Sequence, residues 1–375
     1  MRVIIAAGGT GGHFYPGLSI AKEFQAQKDE VFFIVKKNDY VVSLLKREDI
    51  PFFEIAASGF ERRLTWRWFA TVLNFIVGFF QSLYIQFKWR PETLVAMGGY
   101  LSVSPALTAK ILGIKIILHE QNLQPGLANR LLGRLAKRVA VSFPESQKFF
   151  PRNCILTGNP VRPEFKHLSD LKKSREFFKL NPGEFTFLIF GGSLGAHRVN
   201  ELAVEAFLRL KKKGFKFQLL HVTGPKDMDW VRKSYEEAQI DGRAVDFCHE
   251  MAVAYSAADL IISRSGASTI AELLIVKKPA LLIPFPYATG NHQLANAQTL
   301  EKKGAAKVCE ERDLDPFKLM QILRNLMENP DLLESMKRGY EYIQGNPLGA
   351  AEKIVYLVKE DLSLLHPSKS TAGSP

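Results

Sequence analysis

Two short apolar runs, Val3–Ala7 and Phe185–Phe190, each break into a glycine cluster that closes on a histidine: Gly8-Gly9-Thr10-Gly11-Gly12-His13 and Gly191-Gly192-Ser193-Leu194-Gly195-Ala196-His197. A segment of helical period follows each, through Leu18, Ala21 and Phe24 in the first and through Leu202, Ala203, Ala206 and Leu210 in the second. Strand, glycine loop and helix in that order, twice in one chain, dictate an α/β protein built from two similar halves. Further β-rich runs succeed both openings: Val31–Val35, Leu94–Met97 and Ile114–His119, then Phe217–Val222, Leu260–Ser263 and Ala280–Pro284. Alternation of this kind indicates parallel sheets covered by helices. The expectation is two Rossmann-like parallel-sheet domains facing across a cleft, linked near Gly158-Asn-Pro-Val-Arg-Pro163.

A length of 375 residues suits two domains, and 46% apolar with 23% charged residues fits neither disorder nor a multi-span membrane protein. Cys154, Cys248 and Cys309 are far apart, without a CxxC pair or a histidine at ligand spacing, which points to a reducing compartment and no structural zinc. The N-terminal apolar run is too brief for a signal-peptide core, so the chain is expected to stay in the cytoplasm. The formal charge of +12 is uneven, with 20 Lys and Arg against 11 Asp and Glu in residues 1–160 and 30 against 27 in the remainder. A basic half attracts phosphates in general, and its sign alone does not choose among nucleic acid, anionic lipid and diphosphate.

Neither glycine loop is a dinucleotide fingerprint: GxGxxG begun at Gly9 meets Phe14 where a glycine is required, and begun at Gly192 it meets Leu194. No GK[ST] follows either cluster, so a Walker loop is absent as well. In open α/β sheets ligands lie beyond the carboxyl ends of strands, where backbone amides and helix N-termini favour anions. The first half offers three loops of this type: Gly8–His13, Met97-Gly98-Gly99-Tyr100 and His119-Glu120-Gln121-Asn122. The second offers Ser263-Arg-Ser-Gly-Ala-Ser-Thr-Ile-Ala-Glu272, which reads in two ways. Ser268 or Thr269 caps the helix, Thr269 and Glu272 having the spacing of a capping box, or a nucleotide sits at the helix end with Glu272 accepting both hydroxyls of a ribose. Asp227-Met-Asp229 matches the DxD of metal-dependent transferases, but carboxylates two apart are common, and it is read as fortuitous.

From Trp68 to Phe87 there are 20 residues without a charge, flanked by Arg62, Arg63 and Arg67 and by Lys88 and Arg90. The length suffices to cross a bilayer, yet Thr71, Asn74, Gly78, Gln81, Ser82 and Gln86 fall on one side at helical spacing. Crossing would also place strands near Phe52 and Leu94 on opposite sides of the membrane. The expectation is a helix packed in part on its domain and inserted in part at the interface, with Trp68, Phe75, Phe79 and Phe80 as membrane contacts.

GGTGGH, MGGY, HEQN, GNPVR, GGSLGA, RSGASTIAE and NHQ, in this order over residues 8–293, resemble the MurG family of UDP-N-acetylglucosamine transferases. The resemblance implies the GT-B fold, with an acceptor- and membrane-facing domain over residues 1–163, a UDP-GlcNAc-binding domain over 164–345 and a C-terminal helix over 346–363 packing back on the first; the Pro-, Ser- and Gly-rich tail over 364–375 is expected to be disordered from its composition. The resemblance also implies inverting transfer of GlcNAc from UDP-GlcNAc to the C4 hydroxyl of a lipid-linked muramoyl-pentapeptide, in peptidoglycan synthesis at the cytoplasmic face of the plasma membrane. The protein is then peripheral, has an anionic membrane surface and other cell-wall synthesis proteins as partners, and needs no metal or other cofactor. Carried over residue by residue, it places Thr10, Gly11, Gly12, Asn122, Arg162, Ser193, Cys248, Ala267, Ser268, Thr269, Ile270, Ala271, Glu272 and Gln293 on the donor, and Gly9, Gly98, Gly99 and Tyr100 on the acceptor diphosphate. Cys248 departs from the larger apolar residue usual there, which matters little if uracil is met by backbone.

An inverting transfer needs the attacking hydroxyl deprotonated, and imidazole titrates in the right range, so His13 is the candidate general base, with His119, Glu120 and His292 behind it. Two other readings stand beside this one: an enzyme like the UDP-GlcNAc 2-epimerases, and a non-catalytic nucleotide-sugar-binding subunit. Nucleic acid is set aside because the basic residues form no aromatic-interleaved patch.

Overall fold

The computed structural model describes residues 1–59, 67–343, 345 and 347–363, with side chains for all of these except 67, 68 and 361–363. Arg62, Arg63, the side chain of Trp68 and the tail 364–375 therefore lie outside the described residues. The chain divides into two compact units, one formed by Met1–Gln121, Pro125–Val161 and the chain from Pro347 onward, the other by Asn122–Gln124 and Arg162–Asn346.

The first unit carries strands β1 (Arg2–Ala6), β2 (Glu30–Lys36), β3 (Phe52–Ile55), β4 (Thr93–Ala96), β5 (Lys115–Glu120), β6 (Arg138–Val141) and β7 (Cys154–Leu156). All neighbours are parallel, in the order β3-β2-β1-β4-β5-β6-β7. Helices α1 (Gly11–Ala26), α2 (Val41–Arg47), α3 (Arg67–Trp89), α4 (Val103–Ile111) and α5 (Leu127–Leu132) intervene. Burial on both faces explains why β1 reads as a nearly continuous apolar run. Val3, Ile5 and Ala7 enter one core with Phe14, Phe24 and Phe33, and Ile4 and Ala6 enter the other with Leu94 and Leu118.

The second unit repeats the plan with β8 (Thr186–Phe190), β9 (Gln218–Val222), β10 (Asp241–Val245), β11 (Leu260–Ser263), β12 (Ala280–Leu282) and β13 (Ala306–Val308), parallel in the order β10-β9-β8-β11-β12-β13. Its helices are α6 (Leu171–Phe177), α7 (His197–Lys212), α8 (Met228–Glu237), α9 (Met251–Ala257), α10 (Ala267–Val276), α11 (His292–Glu301), α12 (Pro316–Glu328) and α13 (Pro330–Gly339). The last helix, α14 (Ala350–Ser363), returns to the first unit, where Ile354, Val355 and Val358 join the core beside α1 and Lys359 pairs with Asp29 at 2.7 Å.

In each sheet the strand order reverses beside the first strand, between β1 and β4 and between β8 and β11. Ligands of open α/β sheets bind beyond the carboxyl ends of the strands at such a switch point. The loops after those four strands are Gly8–Thr10, Met97–Gly99, Gly191–Ala196 and Arg264–Gly266. Topology therefore selects four of the loops that the sequence singles out, while His119–Asn122, at the end of β5, lies one strand away from the switch point.

Helix α3 links β3 to β4 within one sheet, so it does not span a bilayer although Phe69–Trp89 is long and apolar enough to do so. Its polar side faces inward. Thr71, Ser82 and Gln86 are buried, Gln86 donating to Pro105 O and Thr108 Oγ1, and Gln81 accepts from Ala56 N–H. Gly78 permits this approach, since a Cβ there would stand 2.0 Å from Ala56 O. The outward side carries Phe69, Leu73, Ile76, Phe80, Tyr84 and Phe87, all exposed and spaced by three and four residues on one stripe. Phe75 and Phe79 are half-buried.

Candidate functional site

In the first unit, β1 ends in the glycine loop and α1 begins at Gly11, with Thr10 at the N-cap position making no side-chain cap. Gln121, just past the end of β5, organises the loop's histidine. Its Nε2 donates to Met97 O at 2.7 Å, which turns Oε1 toward His13 Nδ1 at 3.3 Å. Because that oxygen only accepts, Nδ1 carries the proton in neutral His13 and the basic lone pair lies on Nε2. A Cβ built on Gly99 would stand 3.3 Å from Nε2, so the basic edge of the ring looks toward the Gly98–Gly99 turn. His13 is half-buried, on a neutral anchor, in the tautomer a proton acceptor needs.

The weaker candidates do not share this arrangement. His119 is fully buried, its Nε2 donates to Gly158 O at 3.2 Å, and burial holds its pKa down to about 4. Glu120 is equally enclosed and accepts from Asn129 Nδ2 at 2.7 Å. His292 stands at the start of α11 with Nδ1 donating to Thr289 O at 2.7 Å, and burial lowers its pKa.

The backbone amides expected to meet an acceptor diphosphate are already taken. Gly9 N–H donates to Asp39 Oδ2 at 2.6 Å, Gly98 N–H to Ser102 Oγ at 3.0 Å and Gly99 N–H to Asn129 Oδ1 at 3.2 Å. A phosphate meeting these three amides would have to displace Asp39, Ser102 or Asn129. Gly11 and Gly12, in the first turn of α1, have no partners within the helix. Tyr100, 37% exposed, places its hydroxyl 3.4 Å from where a Gly9 Cβ would lie. Burial and the Asp39 carboxylate hold its pKa up, so it remains a neutral donor.

In the second unit, α10 begins at Ala267 with extended Gly266 at the N-cap and no side-chain cap. Ser268 and Thr269 are thus inside the first turn, which overturns both the capping reading and the capping box to Glu272. Ser268 Oγ is buried and makes no hydrogen bond among the described residues, and the first-turn amides beside it lack helical partners. An orphaned hydroxyl at a helix N-terminus is suited to an anion.

Glu272 lies deeper in the same helix. Its Oε1 accepts from Arg162 Nη2 at 3.1 Å and its Oε2 from the Tyr255 hydroxyl at 2.9 Å. Burial pushes the Glu272 pKa up while Arg162 and Tyr255 oppose the shift. Each oxygen keeps a lone pair for a further donor. Arg162 also reaches His249 O, Glu164 and the face of Phe165, so it is a fixed strut. Cys248 is buried two residues before Glu250, and burial raises its thiol pKa to about 11, leaving it a neutral side chain.

Gln293 accepts from Phe285 N–H at 2.9 Å through Oε1, which leaves its amide nitrogen to donate, and its own carbonyl accepts from Ser265 Oγ at 2.8 Å. Asn296, one turn further along α11, accepts from Leu123 N–H at 3.0 Å and donates to Asn122 Oδ1 at 3.1 Å. Sequence reasoning missed Asn296, and equally Tyr255 and Asp39; the only signal was Asn296 at three residues beyond Gln293. Asp227 accepts from His197, Trp230 and Asn200 side chains while Asp229 is exposed, so the DxD carboxylates do not act as a pair.

Comparison with known proteins agrees with this layout. Residues 3–141 match the glycosyltransferase family 28 N-terminal domain, and residues 186–350 match the glycosyltransferase family 28 C-terminal domain. The UDP-N-acetylglucosamine–N-acetylmuramyl-(pentapeptide) pyrophosphoryl-undecaprenol N-acetylglucosamine transferase of Elusimicrobium minutum is 39% identical over 363 residues, 96% of this chain and 99% of that one. The protein of the same name from a Geobacter species is 37% identical over 95% of each chain. The crystal structure of Acinetobacter baumannii MurG superposes with a TM-score of 0.73 at 30% identity, covering 96% of this chain and 99% of that one. Two parallel α/β units, matched end to end by such relatives, make this chain a GT-B glycosyltransferase of the MurG family.

Proposed function

We infer that the protein transfers N-acetylglucosamine from UDP-GlcNAc to the lipid-linked muramoyl-pentapeptide, converting lipid I to lipid II in peptidoglycan synthesis. The relationship to the transferase of Elusimicrobium minutum, which runs along 96% of the chain, carries this reading. The C4 hydroxyl of the muramoyl sugar attacks the anomeric carbon of GlcNAc as the bond from that carbon to the β-phosphate oxygen breaks. UDP leaves with the bonding electron pair, and His13 Nε2 takes the hydroxyl proton, which gives inversion in a single displacement.

The second unit is assigned to the donor. The first turn of α10, with Ala267, Ser268 and Thr269, and the loop bearing Ser193 meet the diphosphate, where helix N-termini stabilise the charge that develops on the leaving group. Glu272 accepts from ribose hydroxyls, the Cys248 backbone faces uracil, and Gln293 and Asn122 donate to the sugar. Thr10, Gly11 and Gly12 in the first unit offer their loop to a phosphate together with the Tyr100 hydroxyl.

The exposed apolar stripe of α3 lies on the membrane, at the cytoplasmic face, with Lys88 and Arg90 beside anionic headgroups. Full transfer of one such side chain from water is worth roughly 1.5–3 kcal/mol and one nearby basic residue roughly 1 kcal/mol, so a few of each give reversible attachment. The deciding assay supplies vesicles bearing the lipid-linked acceptor and radiolabelled UDP-GlcNAc. Label in the lipid phase with stoichiometric UDP supports the reading. Consumption of UDP-GlcNAc without acceptor indicates epimerase-like chemistry and overturns it.

A further inference from the structure

Asp227 stands at the N-cap position of α8 yet makes no side-chain cap there, which is unusual for an aspartate so placed. Its carboxylate accepts instead from two side chains of the neighbouring helix α7 and from Trp230 of its own helix. Oδ1 accepts from His197 Nδ1 at 2.8 Å and from Trp230 Nε1 at 2.9 Å, and Oδ2 accepts from Asn200 Nδ2 at 2.7 Å. His197 is the first residue of α7 and Asn200 lies one turn in, so a single carboxylate ties down the start of the helix that follows the glycine loop.

Beneath it the network continues without a gap. Asn200 Nδ2 also donates to Thr223 O at 2.8 Å, and Asn200 Oδ1 accepts from His221 Nε2 at 3.0 Å. His221 Nδ1 therefore carries a lone pair and accepts from the Tyr235 hydroxyl at 2.9 Å. Thr223 and Gly224 form the floor on which the loop rests: a Cβ on Gly195 would lie 2.2 Å from Thr223 O, and one on Gly224 would lie 2.7 Å from Leu194 O. Loop and floor touch backbone to backbone, and the side chains that fix their separation are Asp227, Asn200 and His197.

We propose that His197 and Asp227 are positioning residues for donor binding, a clamp that sets the height of the loop Gly191–Ala196 at which the UDP-sugar diphosphate docks. This rests on the assignment of that loop to the donor. A carboxylate is required because all three of its partners are N–H donors, and a carboxamide in its place would turn a donor toward one of them.

The test is steady-state kinetics with UDP-GlcNAc varied at saturating acceptor, together with calorimetry using UDP alone. His197→Ala truncates a side chain that is 66% exposed, so the protein stays folded. It should raise the donor KM and the UDP Kd about tenfold, the worth of one charge-assisted hydrogen bond, with kcat within about twofold of wild type. His197→Asn sets an N–H where Nδ1 stands and should return most of the affinity. Asp227→Asn should lose more than His197→Ala. Asp229→Ala, at a carboxylate whose side chain is 95% exposed, should change nothing.

An unchanged donor KM and UDP Kd in His197→Ala overturns the clamp. So does an Asn variant as impaired as the Ala variant, which would make the imidazole itself a donor contact. Wild-type protein that fails to bind UDP overturns the donor assignment and the clamp together, and the wild-type titration alone separates that outcome from the others.

Discussion

Both units open with a strand, a glycine loop and a helix whose early residues include a histidine, and the two histidines are held differently. His13 Nδ1 donates to a neutral carboxamide at 3.3 Å, whereas His197 Nδ1 donates to a carboxylate at 2.8 Å. The Gln121 carboxamide anchors Nδ1 of His13 without bringing a charge to it. A carboxylate favours the protonated ring and raises the His197 pKa, with Glu201 adding to the effect. On the proposed assignments, the same duplicated scaffold uses one histidine for chemistry and one to hold a loop. The crossover after the third strand diverges as well: α3, between β3 and β4, has 23 residues and an exposed apolar stripe, while α9, between β10 and β11, has seven and is almost wholly buried.

The largest effect should come from removing the chemical histidine. His13→Ala is expected to lower kcat by about 100-fold or more with donor affinity nearly unchanged, the usual loss of a general base. His13→Asn keeps a donor toward Gln121 but cannot take up a proton, and should be equally slow. If His13→Asn turns over at close to the wild-type rate, the contrast between the two histidines is broken.

Next is the donor side. Glu272→Ala is a poor probe, because it breaks the buried pair with Arg162, which keeps Glu164 at 3.4 Å, and breaking a buried pair costs up to about 3–5 kcal/mol of stability in other proteins. Glu272→Gln keeps the shape. It should weaken UDP binding by about 10- to 100-fold, the worth of a charge-assisted pair of hydrogen bonds. Calorimetry showing an unaltered Kd would remove Glu272 from the site.

These predictions rest on unequal amounts of sequence information. The parallel sheets and the loops at their carboxyl ends were legible because glycines and small hydroxylated residues interrupt apolar runs at Gly8, Gly98, Gly191 and Gly266. What occupies the loop amides was not legible, since Asp39 and Asn129 reach Gly9 and Gly99 from 30 residues away, and only Ser102, four residues past Gly98, is a local partner. The start of α10 was misjudged by two or three residues: Ser268 is a good cap in isolation, but Gly266 already adopts the extended geometry. For α3 the two-sided pattern was visible while its direction was not, because Gly78 and Gln86 reveal an inward polar face only when Ala56 and Pro105 lie against them.

Acid should act on both units alike. His119 in the first and His221 in the second are buried neutral, with pKa values lowered to about 4 and about 3 by burial. A histidine whose folded pKa lies below its unfolded one loses stability as pH falls from the ordinary value near 6.5 toward the folded value, because only the unfolded state takes up the proton. The unfolding free energy from urea titrations should therefore drop between pH 7 and pH 5, by on the order of 2 kcal/mol per histidine. His119→Gln and His221→Gln should each flatten part of that slope, and a slope unchanged in both variants would assign the acid sensitivity to other groups.

A smaller effect is expected from the stripe that only the first unit carries. Phe80→Glu or Tyr84→Glu, both at exposed positions, should reduce partition onto anionic vesicles several-fold, since one inserted side chain is worth roughly 1.5–3 kcal/mol when fully transferred. Folding should be untouched, and turnover of a short-chain acceptor without vesicles should survive. Equal vesicle binding by both variants would move the membrane contact off this helix.

The smallest effect is read from the pH dependence of His197. His197 has a folded pKa raised above its unfolded value, chiefly by the hydrogen bond to Asp227 and then by the charges of Asp227 and Glu201. Its contribution to stability is complete below the unfolded value near 6.5 and is lost as pH rises through the higher folded value. Asp227, whose pKa its partners lower, contributes above the ordinary carboxylate range and fails only as pH falls through its own folded value. The charged pair is thus fully effective between these limits. The His197 side chain is largely exposed, so solvent screening keeps the gain to a few tenths of a kcal/mol up to about 1 kcal/mol. Differential scanning calorimetry between pH 6 and pH 8.5 should show a small alkaline loss in wild type that His197→Asn removes, because asparagine keeps the N–H but carries no titrating proton. Donor affinity should change little over the same range, since neutral His197 still donates through Nδ1 to Asp227. An alkaline loss of UDP affinity that His197→Asn abolishes would show that the charge on His197, rather than the position it enforces, is what the donor senses.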